Sequence, residues 1–229
     1  MADPGRERAE LTADSCPAAV TSLRDRIEAR LRGTRPGHDP EFPYASQFSA
    51  EQIAQLRKLI PPDPARAAVL VPLVDRPEGL QVLLTQRASH LKNHPGQISF
   101  PGGRVEATDA GPWETAVREA YEEIGLEPAY VTPVGYLQDH LVISGFRVTP
   151  AVGFVRPGFE LRLDRTEVDD AFEVPLSFVL DTRNHVPRDR LVGGHTIVTH
   201  EIPFADRTIW GATASMLITL GRLLRAGET

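Results

Sequence analysis

Hydrophobic and polar positions divide the chain into short apolar runs and a few amphipathic stretches. Ala67 to Val74 is a continuous apolar run of strand length, and Leu80 to Gln86 follows as a second strand across the turn Asp75-Arg76-Pro77-Glu78-Gly79. Gln97 to Phe100 predicts a short strand entering the paired glycines Gly102 and Gly103, a turn at which backbone can approach a ligand or metal closely. Trp113 to Ile124 has helical periodicity, with Gly111 as N-cap, Pro112 at the first helical position and Gly125 as the left-handed C-terminal cap. On that helix Trp113, Val117, Ala120, Tyr121 and Ile124 share an apolar face, and Glu119, Glu122 and Glu123 share another.

Val131 to Leu137 and Phe146 to Val155 predict strands that continue the sheet, and the loop 138–145 between them is a candidate groove wall. An acidic loop over Glu167 to Asp170 leads into a short segment that ends near Asp181. Thr196 to Thr199 and Glu201 to Phe204 predict two further strands. A last helix opens at about Ile209 and runs to about Leu224, apolar through Ala214, Leu217, Leu220 and Leu224 and suited to packing on the sheet. Strands alternating with sizeable helices predict an α/β sandwich.

Upstream, Ala18 to Arg32 predicts an amphipathic helix through Leu23, Ile27 and Leu31, ended by Gly33. Residues 33–47 predict a loop. A short helix begins at Ser49, with Ser49 and Gln52 as a capping pair and Phe48 and Ile53 as a hydrophobic staple; Pro61 and Pro62 end it. Residues 1–62 therefore read as a partly helical N-terminal extension whose job is packing and solubility, with homodimer formation through its first helix as the alternative. Residues 63–229 read as one domain.

Composition narrows the function. At 229 residues, 41% hydrophobic and 24% charged, the chain has ample material for a core. A net charge of −6 argues against a nucleic-acid or membrane-surface partner. The single cysteine, Cys16, excludes an internal disulfide and a cysteine metal cluster. The opening MADPGRERAE carries no apolar run of the signal-peptide kind, and the run 67–74 is too short to cross a bilayer, so the expectation is cytoplasmic. His90 and His94 have a spacing that binds zinc on a helix, but Pro95 and Gly96 break any helix there and no third ligand lies nearby in sequence. There is no Gly-Lys-Ser/Thr phosphate loop and no Gly-x-Ser-x-Gly elbow.

The candidate chemistry sits on the helix over 113–124. Like charges three and four residues apart cost about 0.2–0.5 kcal/mol per pair, and acids near a helix C-terminus oppose its dipole. Only Arg118 stands beside them in sequence to offset this. A solvated acidic face is the ordinary reading. A glycine-rich turn directly upstream favours a second one, in which three hard oxygen donors hold Mg²⁺ or Mn²⁺.

The spacing resembles the Nudix hydrolase box, Gly-x5-Glu-x7-Arg-Glu-U-x-Glu-Glu-x-Gly-U with U a bulky aliphatic residue. Residues Arg118 to Leu126 match its right half, with Ala120 small where U is usual. Counted from Gly103, the first acid falls on Asp109, and eight residues instead of seven separate it from Arg118. Just upstream, LLTQRASHLKNHPGQISFPGG over residues 83–103 resembles the signature of the coenzyme A pyrophosphatase branch, matching at Leu83, Leu84, Thr85, Arg87, Gly96, Phe100, Pro101, Gly102 and Gly103. Ala88 and Lys92 replace a serine and an arginine; the lysine keeps the charge without the planar fork.

The resemblance implies a Nudix-type α/β/α sandwich with a mixed sheet, and metal-dependent hydrolysis of the diphosphate of coenzyme A or acyl-CoA to 3′,5′-ADP and (acyl-)4′-phosphopantetheine. It implies Glu119, Glu122 and Glu123 as catalytic metal ligands, with the Gly103 backbone adding a donor and Arg118 orienting a glutamate. Arg87, Lys92, Phe100 and Gly102 are implied on the substrate side, and Glu167 is a further candidate acid. Hydrolysis of ADP-ribose, NADH or another nucleoside diphosphate derivative is the main alternative. A non-catalytic ligand sensor on the same fold is the second, although a sensor has no need to retain the acidic repulsion.

Overall fold

The computed structural model describes residues 22–37, 49–142 and 144–226. Its centre is β1 (Ala65–Arg76), whose apolar run is buried on both faces. Such a strand needs cover on both sides, and the alternation of its side chains shows how it is met. Ala68, Leu70 and Val74 belong to one core cluster, with Ala116, Ala120 and Ile124 of α3 (Pro112–Ile124). Ala67, Val71 and Leu73 belong to the other, with Ile27 and Leu31 of α1 (Leu23–Leu31), Val179 of α4 (Leu176–Leu180) and Met216, Leu217 and Leu220 of α5 (Gly211–Arg225). The result is a mixed sheet between helices, the architecture expected from the sequence.

β1 pairs along its length with β7 (Phe146–Val155) in parallel, and across its other edge with two antiparallel partners. β4 (Gly102–Arg104) takes Ala67 to Val69, and β2 (Gly79–Arg87) takes Leu73 to Arg76. β3 (Ile98–Ser99) and β8 (Val168–Pro175) pair with β2; β5 (Val131–Tyr136) and β6 (His140–Val142) pair with β7. A separate three-stranded sheet follows: β9 (Val186–Val192), β10 (His195–Phe204) and β11 (Arg207–Ile209). The tight β9–β10 turn uses Gly193 and Gly194, both at positive φ, as a two-residue hairpin loop requires. α2 (Ala50–Arg57) sets Leu56 with Ile60 and Leu141 in a small third cluster.

Several expectations are corrected. β8 occupies the ground of the expected acidic loop, β6 lies inside the predicted loop 138–145, and β9 lies where no strand is predicted. β10 is one strand in place of the two predicted. The acids of β8 sit in a strand because β8 pairs along its length with β2, and distant arginines meet two of them: Arg76 with Glu173 at 2.6 Å and Arg207 with Asp170 at 2.6 Å. Tyr121, expected on the apolar face of α3, is 54% exposed. The buried face is rotated toward Ala116 and takes in Glu123 instead. α1 begins at Leu23 behind a Ser22–Asp25 capping box, and Ala18 to Thr21 fall outside the described residues. So do Cys16, most of the predicted loop 33–47 and Phe48 of the predicted staple. No helix of the described residues is long and apolar enough to cross a membrane.

Candidate functional site

α3 carries the site, and its ends form as its sequence dictates. Gly111 is the N-cap, Pro112 opens the helix, and Gly125 closes it in the left-handed region at φ 69°. The last carbonyls are capped from far along the chain: the Arg162 N–H donates to Ile124 O at 2.8 Å and the Asp164 N–H to Glu123 O at 2.9 Å.

The three glutamates have three different environments. Glu123 is 6% exposed, and among the described residues its carboxylate has one hydrogen bond, from the Gly102 N–H at 3.2 Å. Burial pushes its carboxyl up to about 8 despite that bond, and nearby Glu119 and Glu167 add to the rise. Glu119 is half-buried; desolvation raises it, while Arg118 at 3.0 Å works in the opposite direction. Glu122 turns outward and meets Arg118 at 2.9 Å with a side chain 56% exposed.

Arg118 is the hub that holds this face. Its Nε and Nη2 donate to the two oxygens of Asp109, each at 3.0 Å, its Nη1 reaches Glu119 and Glu122, and Nη2 also reaches the Arg104 carbonyl at 3.1 Å. The guanidinium holds the Asp109 carboxyl well below the usual range, against the opposing effect of its burial. Asp109 also accepts from the Glu106 N–H and the Thr115 hydroxyl. The first acid of the box-like spacing thus anchors Arg118 at the outer side of the helix.

Gly102 and Gly103 form β4, a strand in place of the simple turn expected. A Cβ at Gly102 would lie 2.4 Å from the Ala68 carbonyl, and one at Gly103 would lie 2.4 Å from the Glu119 carboxylate. Glycine is needed at the second position for the site, since it gives Glu119 room beside the strand. Gly103→Ala is therefore expected to displace the flexible Glu119 carboxylate and to cost far more activity than stability. Comparing kcat with the melting temperature checks this; equal rates in the variant and the wild type would show that Glu119 need not be where it is.

Glu119, Glu123 and Gly103 line one groove of about 830 Å³, together with Arg87, Gly102 and Glu167. Glu167 is held from both sides. Its N–H donates to Asp164 O at 3.0 Å, and its carbonyl accepts from the Ala88 N–H at 2.8 Å. Asp164 is in turn fastened to the end of α3 and closes a turn on the Thr166 N–H and hydroxyl. Lys92 is exposed and is not among the groove's lining residues, and Phe100 is 3% exposed in the larger core cluster, beneath the surface. Ser144, from the loop 138–145 expected as a groove wall, also lines the groove; sequence reasoning does not single out Arg104, Phe146, Asn93 or Gln97, which line it too. Arg104 follows Gly103 directly, and a basic residue beside a glycine pair is the available signal.

Among the described residues, no three carboxylate, imidazole or thiol groups already converge to cage a metal ion. Two carboxylates one helical turn apart, one of them buried with a single donor, suit a hard cation. Mg²⁺ or Mn²⁺ keeps several waters and shares its coordination with substrate phosphates, so a complete protein cage is not required. The donor set present therefore fits such an ion, while zinc would call for more preformed ligands.

Residues 64–192, more than half of the chain, match the family model described as the NUDIX domain. The chain is 41% identical over 152 residues to the uncharacterized Nudix hydrolase NudL of Enterobacter sp. (strain 638), covering 66% of this chain and 79% of that one. It is 41% identical over 153 residues to NudL of Salmonella newport (strain SL254), with the same coverage of 66% and 79%. Among solved structures it is similar to the Nudix hydrolase RenU of M. smegmatis, with a TM-score of 0.43 at 24% identity over 50% of this chain and 72% of that one. It is also similar to the NUDIX domain of Shewanella oneidensis NrtR complexed with ADP ribose, with a TM-score of 0.41 at 18% identity over 60% of this chain and 84% of that one. By the family match and the extent of this identity, the chain belongs to the Nudix family.

Proposed function

We propose that this protein is a divalent-metal-dependent hydrolase of the diphosphate in coenzyme A or acyl-CoA, releasing 3′,5′-ADP and 4′-phosphopantetheine or its acyl form. The observation that supports this reading best is the meeting of two motifs in one groove. Arg87, from the coenzyme A-like stretch, lines the same groove as Glu119 and Glu123, from the box-like stretch.

In this reading Glu119 and Glu123 hold Mg²⁺ or Mn²⁺, with the Gly103 backbone close by and Glu122 outside the inner pair. When bound, the ion neutralises diphosphate charge, lowers the pKa of water and supports the leaving oxygen. Arg118 keeps Glu119 aligned by charge-assisted hydrogen bonds. Arg87 attracts the diphosphate. Glu167, fixed at both ends of its backbone and electrostatically coupled to Glu119 and Glu123, takes the proton of the attacking water. A new bond forms between the water oxygen and phosphorus, and the bridging phosphorus–oxygen bond breaks. The leaving phosphate carries away the electron pair.

Metal binding should depend on pH through Glu123. Its carboxyl lies above its ordinary value of 4.5, at about 8, so the folded metal-free chain binds more protons than the unfolded chain between those values. Stability of the metal-free protein therefore falls as pH rises across that window. Mg²⁺ is expected to raise the melting temperature more at about pH 8.5 than at about pH 6, where a proton must leave first. Equal shifts at the two pH values would place the ion away from Glu123.

The direct test of function is product identification after incubation with coenzyme A and Mg²⁺ or Mn²⁺. Appearance of 3′,5′-ADP supports the reading. Parallel reactions with dephospho-coenzyme A, ADP-ribose and NADH test the alternatives, and a clear preference for ADP-ribose or NADH would overturn the coenzyme A assignment.

A further inference from the structure

Six arginines among the described residues lie over an aromatic ring, and five of them also have a hydrogen bond to protein oxygen. Arg24 bonds Asp75, Arg76 bonds Glu173, Arg156 bonds the Ala129 carbonyl, Arg190 bonds Glu201 and Arg207 bonds Asp170. The sixth is Arg104. Its guanidinium carbon stands 5.0 Å from the Phe146 ring centroid, and among the described residues its guanidinium makes no hydrogen bond or ion pair. Yet Arg104 and Phe146 line the groove that also holds Glu119, Glu123 and Glu167. A guanidinium that lines an acidic groove without pairing to an acid is a donor fork left for something else.

Its backbone is well fixed. Arg104 is opposite Ala67 at the end of β4, and its carbonyl accepts from Arg118 Nη2 at 3.1 Å. The same arginine that aligns Glu119 thus ties down the strand that carries Arg104. Ala67 also lines the groove and is small, so the register leaves space beside the guanidinium. The ring beneath restrains the side chain, which lowers the ordering cost of binding an anion.

We propose that Arg104, steadied on Phe146, is a substrate-anion contact that recognises a phosphate group of the substrate by bidentate hydrogen bonding. This rests on the diphosphatase reading of the same groove. The phosphate belongs either to the diphosphate or to a separate monoester such as the 3′-phosphate of coenzyme A. A planar fork matches phosphate oxygens in a way that an ammonium does not.

The test compares Arg104→Gln and Arg104→Lys with the wild type on coenzyme A and dephospho-coenzyme A. Arg104 is exposed, and melting temperatures should be unchanged. For Arg104→Gln the KM is expected to rise about tenfold or more while kcat stays within about threefold, with Arg104→Lys in between. A rise with both substrates places the contact on the diphosphate; a rise with coenzyme A alone places it on the 3′-phosphate. An unchanged KM, or a fall in kcat alone, overturns the proposal. If the wild type hydrolyses neither compound but does hydrolyse ADP-ribose, the coenzyme A reading fails and the same KM comparison on ADP-ribose decides Arg104. If it hydrolyses no diphosphate, calorimetric binding of coenzyme A to the wild type and Arg104→Gln decides it, and equal or absent binding overturns the proposal.

Discussion

Glu123→Gln is expected to lower the metal-dependent rate by roughly 10²–10³ while making the metal-free protein more stable, by a margin that grows as pH rises from about 4.5 and is complete above about pH 8. The two effects have opposite signs for one reason. Glu123 is 6% exposed, and its carboxylate has a single hydrogen bond, from Gly102, among the described residues. Without a cation its negative charge is poorly compensated, which is why burial pushes its carboxyl up to about 8. The amide has nearly the same shape, can accept from the same N–H, and carries no charge to desolvate. It is also a poor ligand for Mg²⁺. Turnover with Mg²⁺ and urea denaturation in EDTA measure the two effects separately. A folded variant with full rate removes Glu123 from the site, and a variant less stable than the wild type in EDTA removes the argument about its charge.

Arg118→Ala is expected to damage both properties together. Arg118 makes a two-point pair with Asp109, whose side chain is only 5% exposed, and it also restrains Glu119 and Glu122. Removing it leaves Asp109 buried with only the Glu106 N–H and the Thr115 hydroxyl, and leaves Glu119 and Glu122 without their cation. Breaking a buried pair costs about 3–5 kcal/mol, and the lower end applies because the Arg118 side chain is 22% exposed. The rate should fall on the order of 10²-fold as Glu119 loses its alignment. Arg118→Lys keeps the charge and loses the fork, so it should recover part of the stability and less of the rate. Urea midpoints and kcat for the two variants check this. A rate loss that Arg118→Lys fully restores would show that charge alone matters.

Much of the scaffold is legible along the chain because its signals are local. The caps of α3 depend on Gly111, Pro112 and Gly125, each within a residue or two of the helix end it serves. β1, β2 and β7 are long apolar runs, and their burial on both faces follows from that composition. β8 and β9 escape such a reading for the opposite reason. Their charges resemble loop composition, and they become strands by pairing with β2 and β10, distant partners that no local pattern records; Arg76 and Arg207 then meet acids of β8, and Arg188 and Arg190 of β9 share Glu201 of β10.

The sequence by itself determined that three glutamates and an arginine lie along one helix behind a glycine pair, because helical periodicity converts spacing directly into direction. The resemblance of residues 83–103 to the coenzyme A signature implied Arg87 on the substrate side, and the structure sets Arg87 in one groove with Glu119 and Glu123. Only the tertiary structure decided which glutamate is buried, because a modest rotation of α3 against the sheet exchanges Tyr121 for Glu123 and no local pattern records it. It decided that Asp109 anchors Arg118, that Asp164 and Ala88 fix Glu167, and that Arg104 is left over Phe146 without an acidic partner among the described residues. The Arg118–Asp109, Ala88–Glu167 and Arg104–Phe146 contacts join segments separated in the chain, and packing rather than spacing sets whether they meet.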